Sequence, residues 1–111
     1  MTRSTQKRIA DILAAIDACH RYRRYFADDD TDVEKMAIDA VLRNIAIIGE
    51  AVKHLPAYVT SAHPHIPWAA IVGMRNNLIH QYFGANLEVV NEVIDRDLAP
   101  LAAALRPLLR D

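Results

Sequence analysis

The chain has 111 residues, 52% of them hydrophobic and 24% charged, with a formal net charge of -1. That balance excludes a disordered chain and supplies no global positive field for duplex DNA, although a local basic patch can still hold RNA. The single cysteine, Cys19, excludes an internal disulfide and argues against a cysteine-built metal site.

The N-terminal MTRSTQKRIAD has no apolar signal core. No stretch reaches the roughly 18 apolar residues of a membrane span. A reducing cytoplasm is the expected compartment, and the length predicts one domain over residues 1–111. Three glycines and 6% aromatic residues speak against a β-sandwich, and helical periodicity dominates.

A first helix is expected over Thr5 to Phe26, with Ile9, Ile12, Leu13, Ile16 and Cys19 at three-and-four spacing. The acidic run DDDTD, residues 28 to 32, breaks it and offers N-caps to the next. A second helix is expected over Val33 to Leu55. Its apolar stripe takes in Met36, Ala37, Val41, Ile47, Ile48 and Val52, interrupted by Asn44. Pro56, Pro64 and Pro67 bound a loop with room for one short turn. A third helix is expected from about Pro67 to Phe83, with Gly84 as its stop. Asn86 can cap a fourth helix carrying Leu87, Val90, Val93 and Ile94. Pro100 then breaks or restarts it, and Leu101, Leu105, Leu108 and Leu109 form a last apolar face. The fold class is therefore all-α, an antiparallel bundle of four to five helices.

The third helix holds costly residues, in GMRNNLIHQYFG, residues 73 to 84. At about 100° per residue, one face collects Ile71, Arg75, Leu78, Ile79 and Tyr82, and the next collects Gly73, Asn76, Asn77, His80 and Gly84. Arg75 is thus expected on the apolar stripe. A buried arginine costs several kcal/mol without a partner, so the bundle should supply an anion or a wet cleft. Arg75 and His80 stand about 140° apart around the axis. A cleft, or a two-fold dimer of these helices, would bring both to one groove. As a bare spacing, R-x4-H is a weak pattern, and a helical histidine is more often just satisfied or exposed.

RNNLIHQY, however, matches the R-x4-H-x-Y motif of HepT-like toxins, in the HEPN superfamily of small helical ribonucleases. LRNIAIIGEAVKHLP resembles the second helix of that family, IPWAAIVGMRNNLIHQYFG its motif helix, and LEVVNEVIDRDLAPL the helix that follows. The resemblance covers most of the chain from Val33 onward. It implies an all-α homodimer joined across the motif helices, and metal-independent RNA cleavage without a cofactor. It also implies a partner, a minimal nucleotidyltransferase antitoxin that silences the toxin by attaching AMP to the motif tyrosine. Carried over, Arg75 and His80 are catalytic, Asn76 supports them, and Tyr82 is the AMPylation site.

These residue types suit the chemistry. RNA carries its own nucleophile, the 2′-hydroxyl. Histidine titrates near neutrality and can act as base or acid. Arginine offers phosphate a planar, permanently charged fork. One motif histidine per protomer makes a poor acid–base pair and a dimer supplies two. Tyr82, seven residues past Arg75, lies about 20° from it around the axis, so AMP there would set a bulky anion beside the guanidinium. Without the resemblance, Tyr82 reads as an ordinary core tyrosine.

Other positions carry two readings each. Asn44 either orients Arg75 or His80, or bonds backbone within the bundle. Glu50 either pairs with Arg75 or is solvated. Gly49, costing about 1 kcal/mol relative to alanine in a helix, points to close helix packing. RYRRYF, residues 21 to 26, could hold single-stranded RNA, but cations at a helix C-terminus also complement its dipole. His63 and His65 flank Pro64 with no further metal ligands in register, and Trp68 reads as a core or dimer anchor. The leading reading is a ribonuclease toxin. The alternatives are a non-catalytic HEPN module that binds a nucleotide or a partner, and a purely structural helical dimer.

Overall fold

Thr2 starts the first helix by accepting the Thr5 amide on its hydroxyl at 3.1 Å. Helix α1 runs Arg3–Tyr22 and tightens into a 3-10 turn over Arg23–Tyr25. The acidic run then does what its composition implies. Asp30 accepts the Asp32 amide at 2.9 Å and caps α2, Thr31–Lys53. The computed structural model describes residues 1–82 and 87–110, without the side chains of residues 80–82. The expected cap Asn86, the stop Gly84 and the helix end at Phe83 lie outside the described residues.

A short α3, Ala57–Thr60, occupies the proline-bounded loop. Helix α4, Trp68–Tyr82, carries the motif. The last stretch is α5, Leu87–Val93, a π-helical segment Ile94–Leu98, and α6, Ala99–Leu105. Pro100 was expected to break or restart this helix. The helical backbone instead runs on past it without a break, with Pro100 at the start of α6 directly after the π segment. The wider π turn just before it takes up the mismatch. Among the described residues every regular element is helical.

The packing is antiparallel. Along α1, Gln6 donates to the Leu108 carbonyl at 2.8 Å, while at the other end Arg23 reaches Asp95 at 2.7 Å. The final helix therefore runs back along the first. Cys19 lies against Val41, its thiol 3.8 Å from that carbonyl, whereas Lys7 and Glu50 line one groove at the opposite end of the α1–α2 pair. Helix α4 returns on the other flank of α2. Ile9, Ile12, Ile45, Ile48, Ile71 and Leu101 are fully buried in the shared core. Trp68 sits at its edge. Its indole N–H donates to the Thr60 and His63 carbonyls, both at 3.0 Å, and pins the loop to α4.

Two expected stripes are rotated. On α2 the buried face is Ala37, Ile38, Val41, Ile45, Ile48, Gly49 and Val52, while Met36 and Ile47 are exposed. The reason is that α2 lies between α1 and α4. Two partners turn its buried arc by about one residue, some 100°. On α4 the buried positions are Ile71, Met74 and Leu78. Met74, not Arg75, completes the apolar stripe. Both choices fit helical spacing, and packing against α2 and α5 selects the methionine.

Candidate active site

Arg75 is exposed, contrary to the sequence expectation. Among the described residues its guanidinium has no ion-pair partner. It stands on the wall of a groove of about 580 Å³ between α2 and α4, together with Asn76, Val72, Gly49, Glu50 and Lys53. The wet cleft expected for an arginine in this helix is therefore present, but the arginine belongs to its rim rather than to the core. No desolvation cost attaches to it.

The helices come close enough to build that groove because of Gly49. A Cβ at this position would sit 3.2 Å from the Val72 carbonyl oxygen and 3.3 Å from that of Ile71. The close packing inferred from the glycine is observed. Gly73, by contrast, has nothing within 4 Å of where its Cβ would be. Together with exposed Val72, Arg75 and Asn76, it gives α4 an open polar and small-residue face.

Helix α4 continues through His80 and Tyr82, whose side chains lie outside the described residues. Five residues of helix separate Arg75 from His80, a rise of about 7.5 Å. Asn44 does not bear on Arg75 through any described contact. Its amide nitrogen donates to the Ala40 carbonyl at 2.8 Å, as the backbone reading expects, while the reading through His80 falls on a side chain outside the described residues. Glu50 shares the groove with Arg75, but its carboxylate pairs one turn along, with His54 Nε2 at 3.2 Å.

The RYRRYF segment is partly spent on structure. Arg23 ties the end of α1 to Asp95, and Arg21 lies over the Tyr22 ring at 5.7 Å. It also sits beside residues 33–40 of α2, about 20 Å along the helix from Glu50. His63 and His65 meet edge to face at 6.1 Å. Among the described residues no cluster of three metal-ligating side chains occurs, and no helix is long and apolar enough to cross a membrane.

Sequence reasoning missed Arg43 and Lys53. Both line the Arg75 groove from α2, and neither has an ion-pair partner among the described residues. The signal was present in their register, since Arg43, Ala46, Glu50 and Lys53 follow three-and-four spacing along one helix edge.

The structure defines a small all-α bundle whose fourth helix carries an exposed arginine, without an ion-pair partner among the described residues, on the wall of a groove. Comparison with known proteins gives the family. Residues 12–108 match the family described as ribonuclease HepT-like, and the chain belongs to it. A Thermococcus cleftensis protein named "Probable ribonuclease HepT" is 34% identical over 97% of this chain and 98% of its own length. A Caldanaerobacter subterraneus protein named as a candidate RNase is 41% identical over 64% of the chain and 63% of its own length. A Methanocaldococcus jannaschii protein, named as a gamma-glutamylcyclotransferase and candidate RNase, is 36% identical over 90% of the chain, which spans 45% of that protein. No solved structure matches the chain.

Proposed function

We propose that the chain is the toxin of a toxin–antitoxin pair, a homodimeric endoribonuclease that needs no metal. The single observation that carries this reading is Arg75, without an ion-pair partner among the described residues, on the rim of the α2–α4 groove beside Asn76, in a chain of the HepT-like ribonuclease family. Its fork binds two non-bridging oxygens of a phosphodiester and balances the charge that builds on them in the transition state. His80 takes the proton from the 2′-hydroxyl. The freed oxygen attacks phosphorus, and the 5′-oxygen leaves with a proton from the imidazolium of the second protomer. The products are a 2′,3′-cyclic phosphate and a 5′-hydroxyl.

The open face of α4 suits a two-fold seam, which would bring two histidines and two arginines to one groove. In the same reading, a minimal nucleotidyltransferase antitoxin attaches AMP to Tyr82. This sets an anion within about 20° of Arg75 around the helix and occupies its charge.

Substituting His80 by alanine is the direct test. RNA cleavage and growth arrest should both disappear, and the parent protein's products should end in a cyclic phosphate. Undiminished turnover in the variant would leave the chain as a nucleotide- or partner-binding module instead. Intact mass after co-expression with a neighbouring nucleotidyltransferase, in Tyr82 and Tyr82→Phe forms, tests the modification.

A further inference from the structure

A second groove, of about 570 Å³, runs between α1 and α2 on the other side of the same α2 ridge. Arg43, Ala46 and Glu50 line both grooves. Five cations, Lys7, Arg8, Arg43, Lys53 and Arg75, and two carboxylates, Asp11 and Glu50, line the pair. This is a positive face in a chain whose formal net charge is -1, so the remainder of the surface is acidic.

Only one of the carboxylates faces a lysine or arginine. Asp11 holds Lys7 at 3.6 Å, and Glu50 holds His54 at 3.2 Å. Arg8, Arg43, Lys53 and Arg75 have no ion-pair partner among the described residues. Four long cations against the one carboxylate of Glu50 leave the two grooves with a net positive charge that suits an anion. The floor of the second groove is apolar, with Ala46, exposed Ile47 and Ala51.

We propose that this second groove is an RNA-binding extension of the site. In it Arg8 and Arg43 hold phosphates of the strand that leaves the Arg75 groove, while its bases lie on the apolar floor. The inference rests on the ribonuclease reading for its occupant. A phosphodiester held by Arg75 continues as a chain in both directions. The α2 ridge carries Arg43 on its crest and leads from one groove directly to the next. A cationic rim above an apolar floor matches a single strand, which offers anions on one edge and flat apolar faces on the other.

The test uses the whole chain carrying His80→Ala, so that binding is read without turnover, with a labelled single-stranded RNA of about 12 nucleotides. Adding Arg8→Gln and Arg43→Gln should weaken binding by roughly 10- to 30-fold at 0.1 M salt. The double substitution should also flatten the slope of log affinity against log salt by about 1.4, at about 0.7 per phosphate contact on a single strand. Lys35→Gln with Arg106→Gln removes the same charge from exposed positions that line neither groove, and should leave that slope as it was. Equal effects from the two pairs would overturn the inference, since net charge alone would then be acting. So would loss of antitoxin binding with RNA binding intact, which would make the groove a protein-docking surface. Cleavage of the same RNA by the protein with His80 restored separates the two readings. If the parent cleaves and the double variant binds like the control, only the groove assignment fails. If the parent neither binds nor cleaves RNA, the ribonuclease reading itself fails.

Discussion

Gly49 and Val72 set how near α2 and α4 can lie, because a methyl group on Gly49 would press on the Val72 carbonyl oxygen from 3.2 Å. Alanine there gains about 1 kcal/mol of helix propensity. It must also displace the backbone of a packed helix, an overpacking cost of about 1–3 kcal/mol. Gly49→Ala is expected to lower stability by about 1 kcal/mol in urea unfolding, and Gly49→Val by more. Since the same contact sets the width of the Arg75 groove, RNA cleavage should fall with it. A fully stable, fully active Gly49→Val protein would show that α4 can back away freely.

Arg75 is expected to give the opposite pattern, a loss of activity without a loss of stability. It is exposed and has no described partner, so Arg75→Ala should move stability by no more than about 0.5 kcal/mol. Cleavage should drop by about 10²- to 10³-fold, the range for losing a donor to a developing oxyanion. Arg75→Lys keeps the charge but not the fork and should fall between. Stability cannot separate a catalytic from a purely structural role here, as it would for a buried arginine, so kinetics with a defined RNA is the measurement.

The contrast between Arg75 and Met74 shows what was legible. Helix existence, the acidic cap and the proline-bounded turn all rest on local chemistry, and each is where local chemistry puts it. Which of two adjacent residues faces inward depends on where the neighbouring helices lie, and a projection at fixed angle does not contain that. Asn44 shows the same limit, since the sequence offers its amide several partners and only the packed helices show its nitrogen on the Ala40 carbonyl. Gly49 was readable because a glycine inside a helix needs a reason, and close packing is a short list of reasons. The motif helix was readable as a site only through its family resemblance. Arg43 and Lys53 carry no motif, and their part in the groove follows from the side on which α4 packs.

Cys19 offers a pH-dependent readout of the core. Burial pushes its thiol from 9.0 up to about 12, because the thiolate would lose its water in an apolar interior. The unfolded chain releases this proton near pH 9 and the folded chain does not. Stability from this residue is therefore complete below pH 9 and is lost as pH rises from 9 towards 12. The loss approaches about 4 kcal/mol at the top of that window. Other groups titrate there too, so the quantity to measure is the difference in unfolding free energy between the parent and Cys19→Ala. It should stay flat up to pH 9 and then fall. The same burial keeps the thiol inert to alkylating reagents at neutral pH until the chain unfolds.

Gly73 tests the proposed seam. Nothing lies within 4 Å of its missing Cβ, so a side chain can leave the backbone there without a clash, and a tryptophan is expected to leave the bundle folded. A dimer joined across this face of α4 has no such room. Gly73→Trp is expected to give a monomer by light scattering, with helical content and unfolding midpoint close to those of the parent at low concentration. RNA cleavage should be lost at the same time, because one chain supplies one motif histidine and the proposed reaction uses one as base and one as acid. Gly73→Ala is the milder partner and should keep the dimer while gaining up to about 1 kcal/mol of helix stability. A Gly73→Trp monomer that cleaved RNA at the parent rate would remove the need for a second protomer. A Gly73→Trp dimer would move the seam to another surface.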